Sequence, residues 1–345
     1  MVHDSFFEWN RPNDAFHFLP CTSSLEIAHS NLHAQHFVRH SPYRCPVFMN
    51  TFLRPLWLVL LLTVASLPSW TQQTISISSK PDALANGSPC LFTVPVQGAT
   101  AVTGVWQDHP LTFFHTSDPD SWNALAGIDI ETKPGSYPLT IEVTLAAGNK
   151  IQKLQRTVNI EPAPYKSTTL KVPDKFVEPD AAALKVIAAD KIVKDKAYAS
   201  TANLPLWSGN FSPPLPTAPS TDSFGTRRVF NGSLASVHRG LDYRAKTGTP
   251  VRAVNSGRVV LARSLYYEGN CVIIDHGQGL MTLYMHLSHF NVAEGDQVKR
   301  GQIIARSGGT GRATGPHLHI GVRWQGAYLD PAKLFKLDLP RPAHP

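Results

Sequence analysis

Three short elements of the sequence carry side chains that could bind a metal ion and activate a water molecule for hydrolysis. They are His238-Arg-Gly-Leu-Asp242, Tyr284-Met-His286-Leu and Thr314-Gly-Pro-His317-Leu-His319. Zinc accepts imidazole nitrogen and carboxylate oxygen at about 2.0–2.2 Å, and a catalytic zinc uses three such protein ligands. A water in the open fourth position then has a pKa near 7 and becomes a nucleophile at neutral pH. The residue types therefore point to metal-assisted hydrolysis.

The spacing of the residues within these elements predicts which side chains lie on the same face of a strand. Along a β-strand, side chains at positions i and i+2 point to the same face, so His317 and His319 would enter one site. His238 and Asp242 are four residues apart, and an extended backbone would also place them on one face. Each element alone is a weak signal, because single histidines at strand ends are often structural. Their occurrence together within one predicted domain strengthens the prediction.

The pattern of strand and turn signals predicts a mostly β protein. Residues 223–338 are predicted to form a compact antiparallel β-sheet domain with glycine-rich turns, and this domain holds all three elements. Its predicted strands are Val251–Val254, Gly257–Ala262, Asn270–Asp275, Met281–Met285, Gln302–Ser307 and Leu318–Val322.

Two further regions precede this domain. Residues 74–164 contain short alternating strands at intervals of about 8–12 residues, which predicts a small Ig-like β-sandwich without a catalytic cluster. Residues 165–222 are predicted to be a linker that is first helical and then proline-rich. Pro179 and Asp180 suit a helix start, and the run from Ser212 to Pro219 reads as an extended tether or strap.

The C-terminal domain resembles the lysostaphin/LytM-type zinc endopeptidases of bacterial cell walls. The order and spacing of its motifs match that family over about a third of the chain. Besides the three elements above, the matching motifs are Ser223-Phe-Gly-Thr-Arg-Arg, Gly248-Thr-Pro-Val, Gly269-Asn-Cys-Val-Ile-Ile-Asp-His-Gly, Gly295-Asp-Gln-Val-Lys-Arg-Gly-Gln and Gly308-Gly-Thr-Gly-Arg-Ala.

This resemblance implies a role for each candidate residue. His238, Asp242 and His319 would be the ligands of one zinc ion per catalytic domain. His286 and His317 would not bind the metal, but would handle protons or stabilise the oxyanion of the tetrahedral intermediate. The candidate substrate contacts are Asn231, Arg228 and Tyr284.

The resemblance also implies that the protein hydrolyses peptide crosslinks of peptidoglycan, with the stem peptides as its binding partner. Two alternatives stay open. One is a non-catalytic protein that binds the wall or activates another hydrolase, although such relatives typically lose metal ligands. The other is a secreted protease that acts on glycine-rich proteins, since the peptide-bond chemistry would be the same. The crosslink that is cleaved and the oligomeric state are not encoded in these motifs.

The first 73 residues read as a leader region. A single Arg54, an apolar run from Leu56 to Leu67 and small residues after it have the order of a secretory signal peptide, assigned to residues 49–73. The run is shorter than the about 20 residues of a membrane-spanning helix. A retained anchor and a buried core helix are the alternatives. Residues 1–48 are interpreted as an over-extended reading frame that starts upstream of Met49. The expected location is the periplasm, the cell envelope or the exterior, with no stable membrane span after signal removal.

Charge and cysteine content add little to this assignment. The formal net charge of +7 favours anionic partners in general, but no dense Lys/Arg run of the kind found in nucleic-acid-binding tails is present. Nucleic acid is therefore not an expected partner. The four cysteines form no C-x-x-C pair. Cys90 and Cys271 fall in different predicted domains, which argues against a disulfide between them.

Overall fold

The computed structural model describes residues 75–170, 179–199, 202–230 and 233–343. The predicted signal peptide and the preceding 48 residues lie outside this range. Within it, no helix combines the length and the apolar character that a membrane crossing requires.

The N-terminal part of the described chain is built from two β-sheets. Its strands are β1 (Ser78–Lys80), β2 (Leu84–Ala85), β3 (Pro89–Pro95), β4 (Ala99–Trp106), β5 (His109–Thr112), β6 (Phe114–His115), β7 (Ser121–Gly127), β8 (Gly135–Leu145) and β9 (Lys150–Glu161), with a 3-10 turn at Ala147–Asn149. One sheet has the order β1-β3-β7-β6 and the other β2-β9-β8-β4-β5. Trp106 is fully buried in this region, and its indole N–H donates a hydrogen bond to the carbonyl oxygen of Gly127 at 2.9 Å.

The connecting region contributes one helix and several short strands. The order is β10 (Ser167–Leu170), α1 (Ala181–Tyr198), β11 (Ser220–Asp222), β12 (Arg227–Phe230) and β13 (Ser233–Val237). Helix α1 begins where the sequence predicts, because the Asp180 carboxylate accepts a hydrogen bond from the Ala183 amide and caps the free N-terminal N–H groups. Strands β10, β12 and β13 form a three-stranded sheet.

The proline-rich segment of this region is not a free tether. Trp207, Phe211 and Leu215 are almost completely buried. The Leu206 amide donates to the His276 carbonyl at 2.7 Å and the Ser212 amide donates to the Val254 carbonyl at 3.0 Å. The segment packs against the C-terminal sheet, because burial of three large apolar side chains stabilises this contact.

The C-terminal part is an antiparallel sheet that explains how the predicted elements come together. Its remaining elements are β14 (Leu241–Arg244), β15 (Pro250–Arg252), β16 (Gly257–Leu265), β17 (Gly269–Asp275), β18 (Leu280–Phe290), β19 (Gln297–Val298), β20 (Ile303–Ser307), β21 (His317–Trp324), β22 (Ala327–Leu329) and α2 (Pro331–Leu334). Together with β11 they form a ten-stranded sheet whose main path is β11-β14-β21-β18-β17-β16-β19. The predicted mostly β fold is confirmed. The predicted domain limits stay a prediction.

The N-terminal sheets pack directly on the C-terminal sheet. The Tyr328 amide donates to the Asp129 carboxylate at 2.7 Å, and the Gln325 side-chain amide donates to the Pro110 carbonyl at 2.9 Å. Gly127 lies so close to Leu329 that a Cβ atom there would come within 2.6 Å of that side chain. One continuous hydrophobic core therefore runs through both parts.

Both cysteines in the described residues are free and buried, one in each part of the fold. Burial raises the pKa of the Cys90 and Cys271 thiols well above the ordinary value. They are inert core residues, in agreement with the prediction that they form no disulfide.

His276 is a buried structural histidine that couples folding to pH. Its two ring nitrogens bond the Ser256 carbonyl at 2.7 Å and the Thr282 hydroxyl at 2.8 Å, and burial lowers its pKa to about 4. The unfolded chain takes up a proton below pH about 6.5, whereas the folded protein does not until about 4. The stability from a neutral His276 is therefore present above pH 6.5 and is lost as the pH falls towards 4.

We predict that the free energy of unfolding decreases from pH 6.5 to 4 by up to about 3 kcal/mol more in the wild type than in His276→Gln. Urea unfolding at a series of pH values measures this difference. His289→Gln, at an exposed position, is the matched control and keeps the wild-type pH dependence. Equal pH slopes for wild type and His276→Gln would show that His276 is not the group responsible.

Candidate metal centre

Two of the three predicted ligands come from neighbouring strands in direct register. Asp242 on β14 pairs with His319 on β21 in the antiparallel ladder. Directly opposite residues of such a pair have their Cβ atoms about 4.5–5.5 Å apart on the same face. The sheet register alone therefore places a carboxylate beside an imidazole.

The third predicted ligand, His238, lies just before the Asp242 strand. Strand β13 ends at Val237 and β14 begins at Leu241, so residues 238–240 connect the two strands, with a bend at Gly240. The backbone of His238 is held by two hydrogen bonds, from the Gly225 amide to its carbonyl at 2.8 Å and from its own amide to the Thr226 carbonyl at 2.9 Å.

The distances between the three ligand atoms suit a tetrahedral cation. His238 Nε2 lies 3.2 Å from Asp242 Oδ1 and 3.0 Å from His319 Nδ1, and His319 Nδ1 lies 2.8 Å from Asp242 Oδ1. Tetrahedral zinc with bonds of about 2.0–2.2 Å separates its ligand atoms by about 3.3 Å. In the described part of the chain, the group of His, Cys, Asp or Glu side chains that could hold a metal ion consists of His238, Asp242 and His319.

The hydrogen bonds of His238 explain why a cation belongs there. Its Nδ1 lies 3.0 Å from the carbonyl oxygen of Ser223, which can only accept, so Nδ1 carries the hydrogen. In the neutral ring Nε2 then directs a lone pair at the Asp242 carboxylate, which also carries only lone pairs. A cation between them converts this repulsion into coordination, and the Ser223 contact fixes the ring as outer contacts of metal ligands do. The donor set of two imidazoles and one carboxylate fits zinc.

The Asp242 carboxyl is held in the ionised form that a ligand needs. Burial raises its pKa, but the adjacent His238 and His319 imidazoles outweigh burial and hold the pKa well below the ordinary value. His238 and Asp242 are buried, and His319 is partly exposed. The His319 and Asp242 side chains are 13% and 11% exposed, so solvent reaches the cluster at these two ligands.

Two further histidines, His286 and His317, border the cluster. His317 and His319 lie on the same face of β21, and the His317 ring centroid is 4.7 Å from that of His286, which in turn is 6.1 Å from that of His319. His286 Nδ1 lies 2.9 Å from the Thr310 carbonyl oxygen and His317 Nδ1 lies 2.8 Å from that of Gly315. Each Nδ1 therefore carries the hydrogen, and each neutral ring keeps the lone pair on Nε2.

His286 also has an unusual backbone and a lowered basicity. Its φ of 61° lies in the left-handed region, which residues with a side chain seldom adopt. Burial, followed by the neighbouring His319 and His317 rings, lowers the pKa of His286 to about 3. The imidazole is neutral at physiological pH.

The predicted substrate contacts fare differently. The prediction that Tyr284 contacts the substrate is wrong: its side chain is fully buried, and its hydroxyl accepts a hydrogen bond from the Val254 amide at 2.9 Å. Residues two apart on a regular strand share a face, but the left-handed backbone of His286 breaks the alternation of β18. Arg228 lies on β12, between Thr168 and Ser236 of the flanking strands. Asn231 lies outside the described residues.

Several backbone groups that support the site cannot be identified from residue type. The carbonyl oxygens of Ser223, Thr310 and Gly315 set the orientation of His238, His286 and His317, but any residue type supplies a carbonyl. Asp222 could have been found only through its place beside the Ser223 motif. Its Oδ2 lies 3.4 Å from His238 Nδ1, and its Oδ1 accepts from the Thr226 hydroxyl at 2.9 Å.

Comparison with known proteins supports the same assignment. Residues 236–331 match peptidase family M23. Peptidoglycan DD-endopeptidase ShyA of Vibrio cholerae is 45% identical over 103 residues, which are 30% of this chain and 23% of that protein. Lysostaphin of Staphylococcus staphylolyticus is 47% identical over 91 residues, which are 26% of this chain and 19% of lysostaphin. The chain thus spans about a quarter or less of the length of these curated relatives.

The likeness of fold extends beyond the matched residues. A crystal structure of an M23 peptidase from Pseudomonas aeruginosa superposes with a TM-score of 0.55 and 27% sequence identity, over 73% of this chain and 94% of that one. The shared part therefore includes β structure that precedes the metal cluster. The matched segment, the ligand geometry and this fold agree with the family that the motifs predict. Residues 236–331 of this chain therefore form a peptidase family M23 domain.

Proposed function

We propose that this chain is an exported zinc endopeptidase that hydrolyses peptide crosslinks of bacterial peptidoglycan, with the stem peptides as substrate. The observation that carries the proposal is the cluster of His238, Asp242 and His319 with two more imidazoles at its open side. A wall-binding protein without activity would need none of these five side chains to be kept. The relatives named above, a peptidoglycan DD-endopeptidase and lysostaphin, support the substrate class.

His238, Asp242 and His319 would hold the zinc ion. When bound, the ion would supply a Lewis acid for the scissile carbonyl and lower the pKa of a water molecule. The protein's part is to fix the ligands, and Gly240 contributes by leaving room. A Cβ atom at Gly240 would lie 2.3 Å from His319 Nε2 and 2.5 Å from the Ile320 carbonyl oxygen. Only a residue without a side chain lets the bend and β21 approach this closely.

His286 is the proton acceptor of the proposed reaction. Its Nδ1–H donates to the Thr310 carbonyl, so its Nε2 lone pair is available to take a proton. A neutral imidazole with a free Nε2 lone pair can accept the proton that the attacking water loses.

His317 holds the more accessible place at the same site. Its side chain is 19% exposed, and its Nε2 lies 4.0 Å from Asp242 Oδ1. This position lets His317 exchange protons with solvent and, when protonated, donate a hydrogen bond to the developing oxyanion or a proton to the leaving amine. In this proposal His286 accepts a proton and His317 donates a proton or a hydrogen bond.

The remaining parts of the proposal concern location and substrate binding. Peptidoglycan lies in the cell envelope, and the signal peptide predicted at residues 49–73 supports export to the periplasm or beyond. Arg228 and Asn231 precede the His238 bend in the sequence, and we propose them as contacts for the stem peptide, whose carboxylates an arginine would bind.

The metal site can be tested without an activity assay. We predict that the wild type binds about one zinc per chain, that His319→Ala lowers zinc affinity by more than about 100-fold, and that Gly240→Ala lowers it by about 10–100-fold. Zinc content after dialysis and competition with a chelator measure both effects.

The matched control is Gly321→Ala, on the same strand pair as His319. The nearest atoms to a Cβ there lie 3.6 Å away, so the substitution fits, and zinc affinity is expected to stay at the wild-type value. Wild-type affinity in Gly240→Ala would contradict the close approach described here.

The proton-transfer roles predict a separate loss of activity. His286→Ala and His317→Ala are each expected to lower the rate of crosslink hydrolysis by about 10²–10⁴-fold while zinc stays bound, because they remove proton transfer and charge stabilisation but no ligand. Digestion of defined muropeptides with mass analysis of the products measures the rate and identifies the bond that is cut. His289→Ala, exposed at the end of β18, is the control with wild-type activity.

A wild type that binds zinc but cleaves neither muropeptides nor glycine-rich peptides would overturn the enzymatic proposal. Cleavage of glycine-rich proteins with no cleavage of muropeptides would overturn the substrate class alone.

A further inference from the structure

The turn at residues 266–268, between β16 and β17, contacts the catalytic site at His286 and at the loop before His317. The Glu268 carbonyl accepts a hydrogen bond from the His286 amide at 2.8 Å, and the Tyr267 carbonyl accepts one from the Arg312 amide at 2.9 Å. The guanidinium of Arg312 also lies over the Tyr267 ring at 4.5 Å. The turn therefore supports both His286 and the loop that leads to His317.

That loop and His286 are bonded to each other as well. The Thr310 carbonyl accepts from His286 Nδ1 at 2.9 Å, and the Thr310 hydroxyl donates to the Leu287 carbonyl at 2.8 Å. The Asn270 amide donates to the same hydroxyl at 2.9 Å. The turn, the histidine and the loop thus form one closed set of hydrogen bonds.

His286 needs such support because of its own backbone. A histidine at φ of 61° is in a disfavoured conformation, which persists only where its surroundings enforce it. The bond from its amide to the Glu268 carbonyl is one of the contacts that enforce it. A shift of the turn would let the backbone relax and move the imidazole away from the cluster.

The other side of the turn is fixed by helix α1, which lies outside the segment that matches the peptidase family. The Asp190 carboxylate accepts from the Tyr266 amide at 2.6 Å, and the Lys194 ammonium donates to Glu268 Oε1 at 2.5 Å. Asp190 and Lys194 are four residues apart and therefore lie on one face of the helix. Helix α1 holds the turn at both of its ends.

The Lys194–Glu268 ion pair is buried. The two side chains are 5% and 10% exposed. Among the described residues, Glu268 Oε2 is buried without a hydrogen-bond partner, so the carboxylate relies on Lys194. Removal of the ammonium would leave an uncompensated charge, and the turn would have to move to bring that carboxylate to water.

We propose that Lys194, Glu268 and Asp190 are positioning residues of the catalytic centre. Helix α1 fixes the position of the 266–268 turn. This turn then fixes the positions of His286 and of the loop that contains Thr310. The inference rests on the proposed catalytic function of His286, but the positioning itself is a property of the folded chain and can be measured without substrate.

Lys194→Met tests the proposal, with Lys191→Met as the matched control. Lys191 lies on the same helix in a half-exposed pair with Asp195. In Lys194→Met we expect kcat to fall by about 10–100-fold, as for a displaced catalytic group, with KM and zinc affinity within about twofold of wild type. The His286 amide is expected to exchange its hydrogen at least about tenfold faster. Lys191→Met leaves all four quantities unchanged.

A double variant separates positioning from simple attachment of the helix. Lys194→Met with Glu268→Gln removes both buried charges, so the turn no longer needs to reach water, and kcat and amide protection are expected to recover most of the loss. If the pair only attaches the helix, the melting temperature falls in Lys194→Met while kcat and His286 protection in the folded protein stay at wild-type values. That result would overturn the proposal.

Asp190→Asn covers the case in which Lys194→Met does not fold. It keeps the volume of the side chain and weakens only the bond to the Tyr266 amide, and we expect a smaller change in the same direction for kcat and for His286 exchange. Wild-type values for both in Asp190→Asn would overturn the proposal. If the wild type cleaves no wall peptide, the enzymatic function fails, and the exchange measurements alone decide the positioning role.

Discussion

The site depends on one electrostatic conflict, between the lone pair of His238 Nε2 and the Asp242 carboxylate 3.2 Å away. The Ser223 carbonyl holds the hydrogen of His238 on the far nitrogen, so the neutral ring has only a lone pair to offer. In a buried place such a contact is unfavourable unless a cation lies between the two atoms. The contacts that orient His238 and Asp242 therefore also create affinity for a dication. The sheet holds these two side chains rigidly in place.

The sequence predicts those features of the site that depend on side-chain type or on strand periodicity. It does not predict those that depend on backbone groups. The same-face placement of His317 and His319 depends only on the two-residue period of a strand, so it is predictable. The metal ligands and their partners are recognisable because their side chains are specific. The carbonyl groups of Ser223, Thr310 and Gly315 are equally important for orientation, but they belong to the backbone and leave no trace in residue type.

Two interpretations drawn from spacing assume an unbroken strand, and the structure interrupts the strand in both places. His238 and Asp242 are separated by residues that belong to neither β13 nor β14, so their common site does not follow from the two-residue period of a strand alone. Tyr284 and His286 are two apart on β18, yet the left-handed φ of His286 separates them, one into the core and the other into the site. Local distortions of this kind concentrate at functional sites, where surrounding contacts stabilise them.

The physical unit that performs the proposed chemistry is larger than the segment that identifies the family. The family match begins at residue 236. Strand β11, which pairs with the Asp242 strand, lies before that point, as do the Ser223 carbonyl, the Gly225 and Thr226 contacts to His238, and helix α1. These contacts reach the ligands and the bordering histidines from outside the matched residues. The groups that hold the ligands in place are therefore spread over the preceding chain, and their contacts with the ligands become visible only in the fold.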